Sequence, residues 1–295
     1  MIDTDQAYVY TRSAENLAIA ALMSDAKLDK SLYSRPVDHL KEQWSRPVRF
    51  PLEEGRGVIM ASLTDLQGKF NLNDLVLFEE PILARRYFVD LLSYLTIPKK
   101  GDSSELADSL MEWLDSNYIP ETPGVEDDYY LGLKKPYRTS NSLMADVSEF
   151  LLIKGMTAEE WQKLKPYICV LPRTVPINVN TASDLLLQVF GVDVQRLAEI
   201  RARSKEPFKD EAMALEGQSP AVKNLISKKR FSVSSQFFEL NTSVELDHKQ
   251  AHLSSIIYRP ELLDQKEPLR VIARNRSVRW LMPANAAEVT NAPKI

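Results

Sequence analysis

The residues best suited to chemistry form an acidic, oxygen-rich segment near the middle of the chain. Carboxylate and amide oxygens occur within it at Asp115, Asn117, Glu126, Asp127 and Asp128. Glycine and proline bend this segment, and it contains no cysteine or histidine. Hard oxygen donors on a bent loop suit calcium, which takes about six to eight oxygen ligands, better than zinc or iron. The pattern predicts a calcium-binding loop, and an acidic loop that is merely solvated is the alternative.

Residues for catalysis are sparse. The histidines, His39, His248 and His252, form no familiar ligand set with Cys169, and we expect His248 and His252 to be exposed at a strand turn. Cys169 is the only cysteine and lies in an apolar run, which predicts a buried thiol. The chain has no nucleophile elbow, phosphate-binding loop or dinucleotide fingerprint. These features predict a protein that is not an enzyme.

A second motif, PINVNTA at residues 176–182, is similar to the entry of a helix-hairpin-helix unit that binds nucleic acid. In such a unit the backbone of a glycine-bounded hairpin meets phosphate, but here Gly191 is followed by Asp193, whose carboxylate would repel it. The chain also has 37 Lys+Arg against 41 Asp+Glu, so no global positive field attracts a phosphate backbone. A nucleic-acid-binding module is therefore the alternative function, and Asn180 or Thr181 as the N-cap of a packed helix is the structural alternative.

The apolar pattern indicates the elements that position these motifs. Helical spacing covers residues 6–30, 74–95, 101–114, 146–165, 181–203 and 211–229, with a loop over 115–137. The block 146–165 is interrupted at residues 155–157, and the block 181–203 is interrupted at Gly191. A strand is predicted over 58–63, and a period of two after residue 231, with a polar turn over 247–250, predicts three antiparallel strands. The order predicts an α+β fold with a long N-terminal helix packed on an antiparallel sheet and a large all-α insertion. Residues 1–73 and 230–295 would form the first body, and residues 74–229 the insertion.

The first helix carries an apolar seam, Ala7, Tyr10, Ala14, Leu17 and Ala21. Such a seam serves either for packing partner helices or for packing on the protein's own sheet. The helical pattern starts at the beginning of the chain without a clear cap, so we expect the helix to continue upstream, and Thr4 or Asp5 as its N-cap is the alternative. No window has the roughly 18 to 20 apolar residues that a membrane span needs.

Five segments, taken in order, resemble the K-type minor pseudopilin of the type II secretion system. They are DLQGKFNLN at 65–73, EWLD at 112–115, GVEDDYY at 124–130, INVNTA at 177–182 and FSVSS at 231–235. The resemblance implies a pilin-like fold with a large helical insertion. It also implies an upstream leader and membrane helix, so that this part would lie in the periplasm, attached to the inner membrane.

The resemblance further implies that the acidic loop holds one or two structural calcium ions. Asp115, Glu126 and Asp127 are the first candidate ligands, followed by Asn117, Asp128 and Asn141. Where the family often has a second aspartate, this chain has Asn117, whose neutral oxygen would weaken one site.

The function implied by the resemblance is mechanical. The protein would cap the tip of the secretion pseudopilus, bind the I-type and J-type minor pseudopilins through its N-terminal helix and sheet, initiate assembly, and engage exported proteins. The bulk of the insertion would prevent another subunit from stacking above it.

Overall fold

A long helix and two strands begin the chain. In this computed structural model, which describes residues 2–52, 55–117, 127–204, 207–247, 249–260, 267–276 and 287–288, helix α1 covers Ile2–Tyr33. Its sequence contains neither glycine nor proline, so nothing breaks the helix over its 32 residues. Strands β1 (Val48–Pro51) and β2 (Gly57–Asp65) follow. The predicted first helix and first strand are confirmed, and β1 is an additional strand that the sequence pattern did not indicate.

The segment after β2 is mostly helical. Its elements are β3 (Phe70–Asn71), α2 (Asp74–Leu77), α3 (Pro81–Tyr94), α4 (Ser103–Leu114), α5 (Asp127–Leu131), α6 (Ala158–Leu164), β4 (Ile168–Cys169), β5 (Ile177–Asn178), α7 (Asp184–Val189), α8 (Val194–Ser204), α9 (Glu211–Ala214), α10 (Pro220–Ser227) and β6 (Phe231–Ser232). Short 3₁₀ helices occur at Leu66–Gly68, Val147–Leu152 and Lys165–Tyr167. The short strands pair in parallel, β3 with β4 and β5 with β6.

The chain then returns to the first sheet. Strands β7 (Phe237–Leu246), β8 (Lys249–Tyr258) and β9 (Arg270–Asn275) form the predicted antiparallel meander, and β10 (Ala287–Glu288) pairs in parallel with β1. The strand order is β10-β1-β2-β7-β8-β9. Helix α1 packs on β2, β7 and β8. The predicted α+β fold, with a helix on an antiparallel sheet and a helical insertion, is confirmed.

Some predicted elements differ from the observed ones. The loop predicted over 115–137 contains α5, and the helix predicted over 211–229 is two helices. Pro220 starts α10 because it needs no backbone donor in the first turn, and Gly217, with φ of +74°, takes the left-handed conformation that separates the two helices. The insertion, predicted as all-α, also includes the two-residue strands β4 and β5.

The predicted domain limits at residues 73 and 230 stay a prediction. The large core of the helical part also takes in Phe70 and Leu72 before those limits, and Phe231 and Val233 after them.

Cys169 is buried and His252 is partly buried in the structure. Cys169 lies buried in β4, where desolvation raises the pKa of its thiol, so the predicted buried thiol is confirmed. The prediction that His252 is an exposed turn residue is wrong, because it lies within β8 opposite Ser243 and is partly buried. His248 lies outside the described residues.

Helix α1 is also fixed to the sheet by an ion pair in which Glu15 is the buried partner and Arg274 is partly exposed. The Glu15 carboxylate, 2% exposed, accepts hydrogen bonds from Ser255 Oγ of β8 at 2.5 Å and from Arg274 Nε of β9 at 2.8 Å. A buried carboxylate needs such partners to offset its lost hydration. The contact fixes the rotation of α1 about its own axis, and so decides which of its faces the sheet covers.

The insertion leaves and re-enters the sheet at the same end of two neighbouring strands. Asp65, the last residue of β2, is paired with Phe238 at the start of β7. The Asp65 carboxylate is buried, and its Oδ2 accepts hydrogen bonds from Thr181 Oγ1 (2.5 Å), Ser235 Oγ (2.6 Å) and Asn178 Nδ2 (3.2 Å). The three sequence segments that contain DLQG, INVNTA and FSVSS therefore meet at one side chain.

Backbone donors and neighbouring amides complete this junction. Asp65 Oδ1 accepts a hydrogen bond from the Gln67 amide N–H at 2.8 Å, and the Gln67 side chain bonds Pro176 O and the Gln236 N–H. Desolvation raises the pKa of Asp65 to about 6, against the lowering effect of the hydrogen bonds from Ser235 and Thr181.

We expect Asp65→Asn to lower the free energy of unfolding by about 2–4 kcal/mol, because an amide NH₂ would face hydroxyl and amide donors in a buried site. Chemical denaturation measures this loss.

The folded pKa of Asp65, about 6, lies above the unfolded value of about 3.9. The contribution of this carboxyl group to the free energy of unfolding is therefore fully present below about pH 4 and is lost as the pH rises through 6. The difference between wild type and variant should widen as the pH falls from 7 to 5.

The matched control is Asp247→Asn, at an exposed aspartate in the turn after β7 that pairs with Arg56. An exposed pair contributes little, so its loss should stay within about 0.5 kcal/mol. Equal losses in the two variants would contradict the role given to Asp65.

Candidate functional site

Three aromatic rings support the acidic segment. Trp113, in the last turn of α4, has its ring centroid 5.5 Å from that of Tyr130 in α5, and both rings face Tyr137. Tyr130 is fully buried, and Tyr137 Oη donates a hydrogen bond to Leu152 O at 2.8 Å. Aromatic contacts of this kind fix the relative position of the segments that carry the rings. The end of α4 is thereby fixed beside α5.

The structure brings three of the candidate ligands together. Asp115, at the C-terminal end of α4, accepts hydrogen bonds from the backbone N–H and the side-chain amide of Asn117, each at 2.8 Å. Asn141 Nδ2 donates to Asn117 O at 2.8 Å, which joins residues that are 24 positions apart in the chain. Asn141 has φ of +44°, a left-handed conformation that asparagine tolerates better than most residues.

One oxygen in this group lacks a donor. Asn141 Oδ1 is buried and has no hydrogen-bond donor among the residues that the structure describes. A buried carbonyl oxygen without a donor is a polar group whose partner must come from elsewhere, and a hard cation supplies one. The residues around Asn141 therefore fit an oxygen-coordinated ion.

Asp127 is bound to the backbone segment that immediately precedes Asn141. Its Oδ1 accepts hydrogen bonds from the Thr139 N–H and hydroxyl at 2.9 Å each, and Oδ2 pairs with Arg138. Desolvation acts to raise the pKa of Asp127, but the Thr139 hydrogen bonds and the Arg138 charge outweigh it and hold the pKa below its usual value. Asp127 is thus ionised, but its oxygens are engaged by protein donors.

Two candidates and one further carboxylate complete the acidic segment. Asp128 is exposed in the first turn of α5, and Glu126 lies outside the described residues. Sequence reasoning did not single out Glu112 as a ligand candidate, although it is a buried carboxylate on α4, three residues before Asp115. Its spacing from Asp115 on one helix face was the signal that could have found it.

Helix α1 divides the predicted seam between two surfaces. Ala7 and Ala14 are buried in the cluster that joins α1 to Val244 and Leu246 of the sheet. Leu17 is 36% exposed and Ala21 is exposed, whereas Tyr10 is partly buried against that cluster. The described residues of the sheet therefore cover one part of the seam and leave the other part open.

The open part continues along one flank of the helix. Tyr10, Leu17, Ala21 and Leu28 follow at spacings of seven, four and seven residues, and Leu28 is 59% exposed. Such spacings return to the same side of an α-helix. We call these four residues the open flank of α1. It has the geometry of a surface that packs against another helix.

In the hairpin between α7 and α8, backbone donors at the start of α8 are already occupied and are not available to a phosphate. Asp193 Oδ1 accepts hydrogen bonds from the N–H groups of Gln195 (3.0 Å) and Arg196 (3.1 Å) at the beginning of α8. These donors would be the ones available to an anion at a helix N-terminus. A carboxylate of the chain itself occupies them, which disfavours the nucleic-acid interpretation.

Among the described residues, no helix combines the length and the apolar character that crossing a bilayer requires.

Comparisons with known proteins all indicate one family. The family model described as "Type II secretion system (T2SS), protein K" matches residues 68–173. Type II secretion system protein K of Pseudomonas aeruginosa is 32% identical over 92% of this chain and 80% of its own length. The protein K of Aeromonas hydrophila is 29% identical over 86% of this chain and 81% of its own length.

A solved structure gives the same result for the fold. A chain in the crystal structure of the GspK-GspI-GspJ complex from the enterotoxigenic Escherichia coli type 2 secretion system superposes with a TM-score of 0.78 at 30% sequence identity. The match covers 93% of this chain and 97% of that one.

Proposed function

The chain belongs to the type II secretion system protein K family, and from that membership we propose that it caps the tip of the secretion pseudopilus. As a minor pseudopilin, it is a structural component of the secretion machinery. Its proposed action needs shape and binding surfaces, and no catalytic group.

The observation that carries this proposal is the position of the insertion relative to α1. Ala7, near the start of α1, clusters with Val244 at one end of the sheet, whereas Leu22 clusters with Leu63 and Phe238 at the other. The insertion leaves the sheet after Asp65, opposite Phe238, and therefore lies at the end away from the start of α1.

This arrangement fits the last subunit of a filament. In our proposal the start of α1 points along the filament toward the inner membrane, and the sheet and insertion lie in the periplasm. A helical body at the far end occupies the space that the next subunit would need. The protein would then end the filament by steric exclusion and support export from that position.

We further propose that I-type and J-type minor pseudopilins pack on the open flank of α1. The complex that contains the similar solved chain is named for GspK, GspI and GspJ. Tyr10, Leu17, Ala21 and Leu28 offer small and apolar contacts there, while the sheet covers the neighbouring face of the helix. Both uses share one helix because they occupy different faces.

We expect the double variant Leu17→Glu with Ala21→Glu to weaken co-purification with the I-type and J-type proteins at least tenfold, because two carboxylates would be buried in an apolar helix contact. Pull-down from cells that express the three proteins measures this effect. Met23→Glu is the control, since Met23 is 37% exposed on the same helix but lies about 120° away from Leu17 around its axis. Equal losses in both variants would refute the open flank as the partner surface.

Tip placement is testable by site-specific labelling. Ile82, at the start of α3, is 86% exposed, and the native Cys169 is buried, so Ile82→Cys gives a single accessible thiol. Biotin attached there and marked with streptavidin-gold should appear at one end of isolated pseudopili in electron micrographs. Gold distributed along the filaments would contradict the capping proposal.

The acidic loop, in our proposal, holds structural calcium. Asp115, Asn117 and Asn141 are held together, Asn141 Oδ1 is a buried oxygen without a described donor, and Asp127 lies beside the same backbone stretch. Calcium there would tie the end of α4 to the segment around residue 141.

We expect a calcium chelator to lower the melting temperature of the protein, and excess calcium to restore it, because an ion bound to the folded state alone stabilises that state. Asp115→Asn should weaken the calcium response at least tenfold by removing a charged ligand. Asn117→Asp should strengthen it by adding one. The exposed Asp247→Asn serves as the control, and an Asp115→Asn variant that responds to calcium like wild type would eliminate this loop as a calcium site.

A further inference from the structure

A second group of carboxylates lies far along the chain from the acidic loop, at the C-terminal part of α1. Asp25 and Asp29 stand one helical turn apart, and Glu42 comes from the segment between α1 and β1. One carboxylate oxygen from each lies within 4.8 Å of the others. Two oxygens on opposite sides of a calcium ion, each at about 2.4 Å, are about 4.8 Å apart. A single ion can therefore contact all three residues.

Hydrogen bonds from the segment between α1 and β1 hold two of these carboxylates in place. The Val37 N–H donates to Asp29 Oδ2 at 2.8 Å, and the His39 N–H donates to Glu42 Oε2 at 3.0 Å. The indole N–H of Trp44 donates to the same Glu42 oxygen. Outer contacts of this type orient metal ligands before the ion binds.

Two other oxygens in this region are buried without a donor. Asp25 Oδ2 and Asp38 Oδ1 are both enclosed, and neither accepts a hydrogen bond from the part of the chain that the structure describes. Asp38 is fully buried, and its other oxygen is already occupied by Arg259 and the Ser235 N–H. Buried carboxylate oxygens in native proteins have a donor, an ordered water or a cation as partner, so these two oxygens are open to a cation.

The charge balance leads to the same conclusion. Asp25, Asp29 and Glu42 lie together with Asp38 nearby, and the buried Arg259 donates through Nη2 to Asp38 and Ser235 O, while its Nη1 has no acceptor among the described residues. His39 Nε2 lies 3.6 Å from Glu42 Oε1. Four carboxylates therefore lie beside one arginine and one histidine among the described residues, an excess of negative charge that a divalent cation would offset.

We propose that Asp25, Asp29 and Glu42 bind a divalent cation of the calcium type, with Asp38 as an inner carboxylate beside it. The donors are all oxygens, which selects a hard cation over zinc or copper. The ion joins the end of α1 to the segment that leads into β1. It is separate from the acidic loop, whose described candidates lie between residues 115 and 141.

Trp44 allows ion binding at this site to be followed by luminescence. Terbium replaces calcium and luminesces when a nearby tryptophan is excited, and Trp44 contacts the ligand Glu42. In the full chain carrying Asp115→Asn, which weakens the acidic loop, we expect terbium luminescence that calcium displaces and magnesium displaces less well. Asp25→Asn should weaken terbium and calcium binding at least tenfold, and Trp44→Phe should remove most of the luminescence.

The matched control is Asp5→Asn, at an exposed carboxylate near the start of the same helix. It should leave calcium binding measured by calorimetry unchanged. If Asp25→Asn binds calcium like its parent, or if the chelator-treated parent binds no calcium, then the carboxylates share protons and the proposal is overturned. Should Asp25→Asn fail to fold, calorimetry on Glu42→Gln with the same Asp115→Asn background decides in the same way.

Discussion

The buried carboxylate of Asp65 is the contact on which the relation between sheet and insertion depends. It ends β2, and it accepts hydrogen bonds from Thr181 within the insertion and from Ser235 on the return path to β7. A buried carboxylate is costly unless donors surround it, and these donors come from segments more than 100 residues away from Asp65 in the chain. The site therefore forms only when the insertion is folded and both of its connections are in place. The full set of hydrogen bonds to Asp65 therefore requires the sheet and the insertion to be folded together.

Fixed connections at one end of the sheet give the insertion a defined direction. Because the insertion leaves and returns beside the Asp65–Phe238 pair, it lies beyond the end of α1 that is near Leu22, away from the start of that helix. A flexible linker would leave the position of such a body open. The proposed capping role needs a body that stays in the way of the next subunit, and the buried junction provides that rigidity.

Buried charges also decide how α1 is used. Glu15 is held by Ser255 and Arg274, so the helix cannot rotate on the sheet without moving this buried carboxylate away from both partners. In this fixed orientation the sheet covers Ala7 and Ala14 and leaves Leu17 exposed. Toward the other end, Asp25 and Asp29 face the segment around Glu42, so the same helix contributes a packing face, an open flank and a carboxylate cluster.

Local sequence pattern was enough to predict the long first helix, the antiparallel meander and the helical insertion, because periodicity is a local property that follows directly from side-chain burial. It also singled out Asp115 and Asn117, the family resemblance added Asn141, and the structure holds these three residues together. It did not separate Ala14 from Leu17 within one seam, since two residues on neighbouring faces of a helix look alike until a sheet covers one of them. Asp25, Asp29 and Glu42 formed no motif, because the turn that folds residue 42 back onto α1 is fixed by tertiary packing. Only the folded chain brings such distant charges together, since their attraction or repulsion acts through space and not along the sequence.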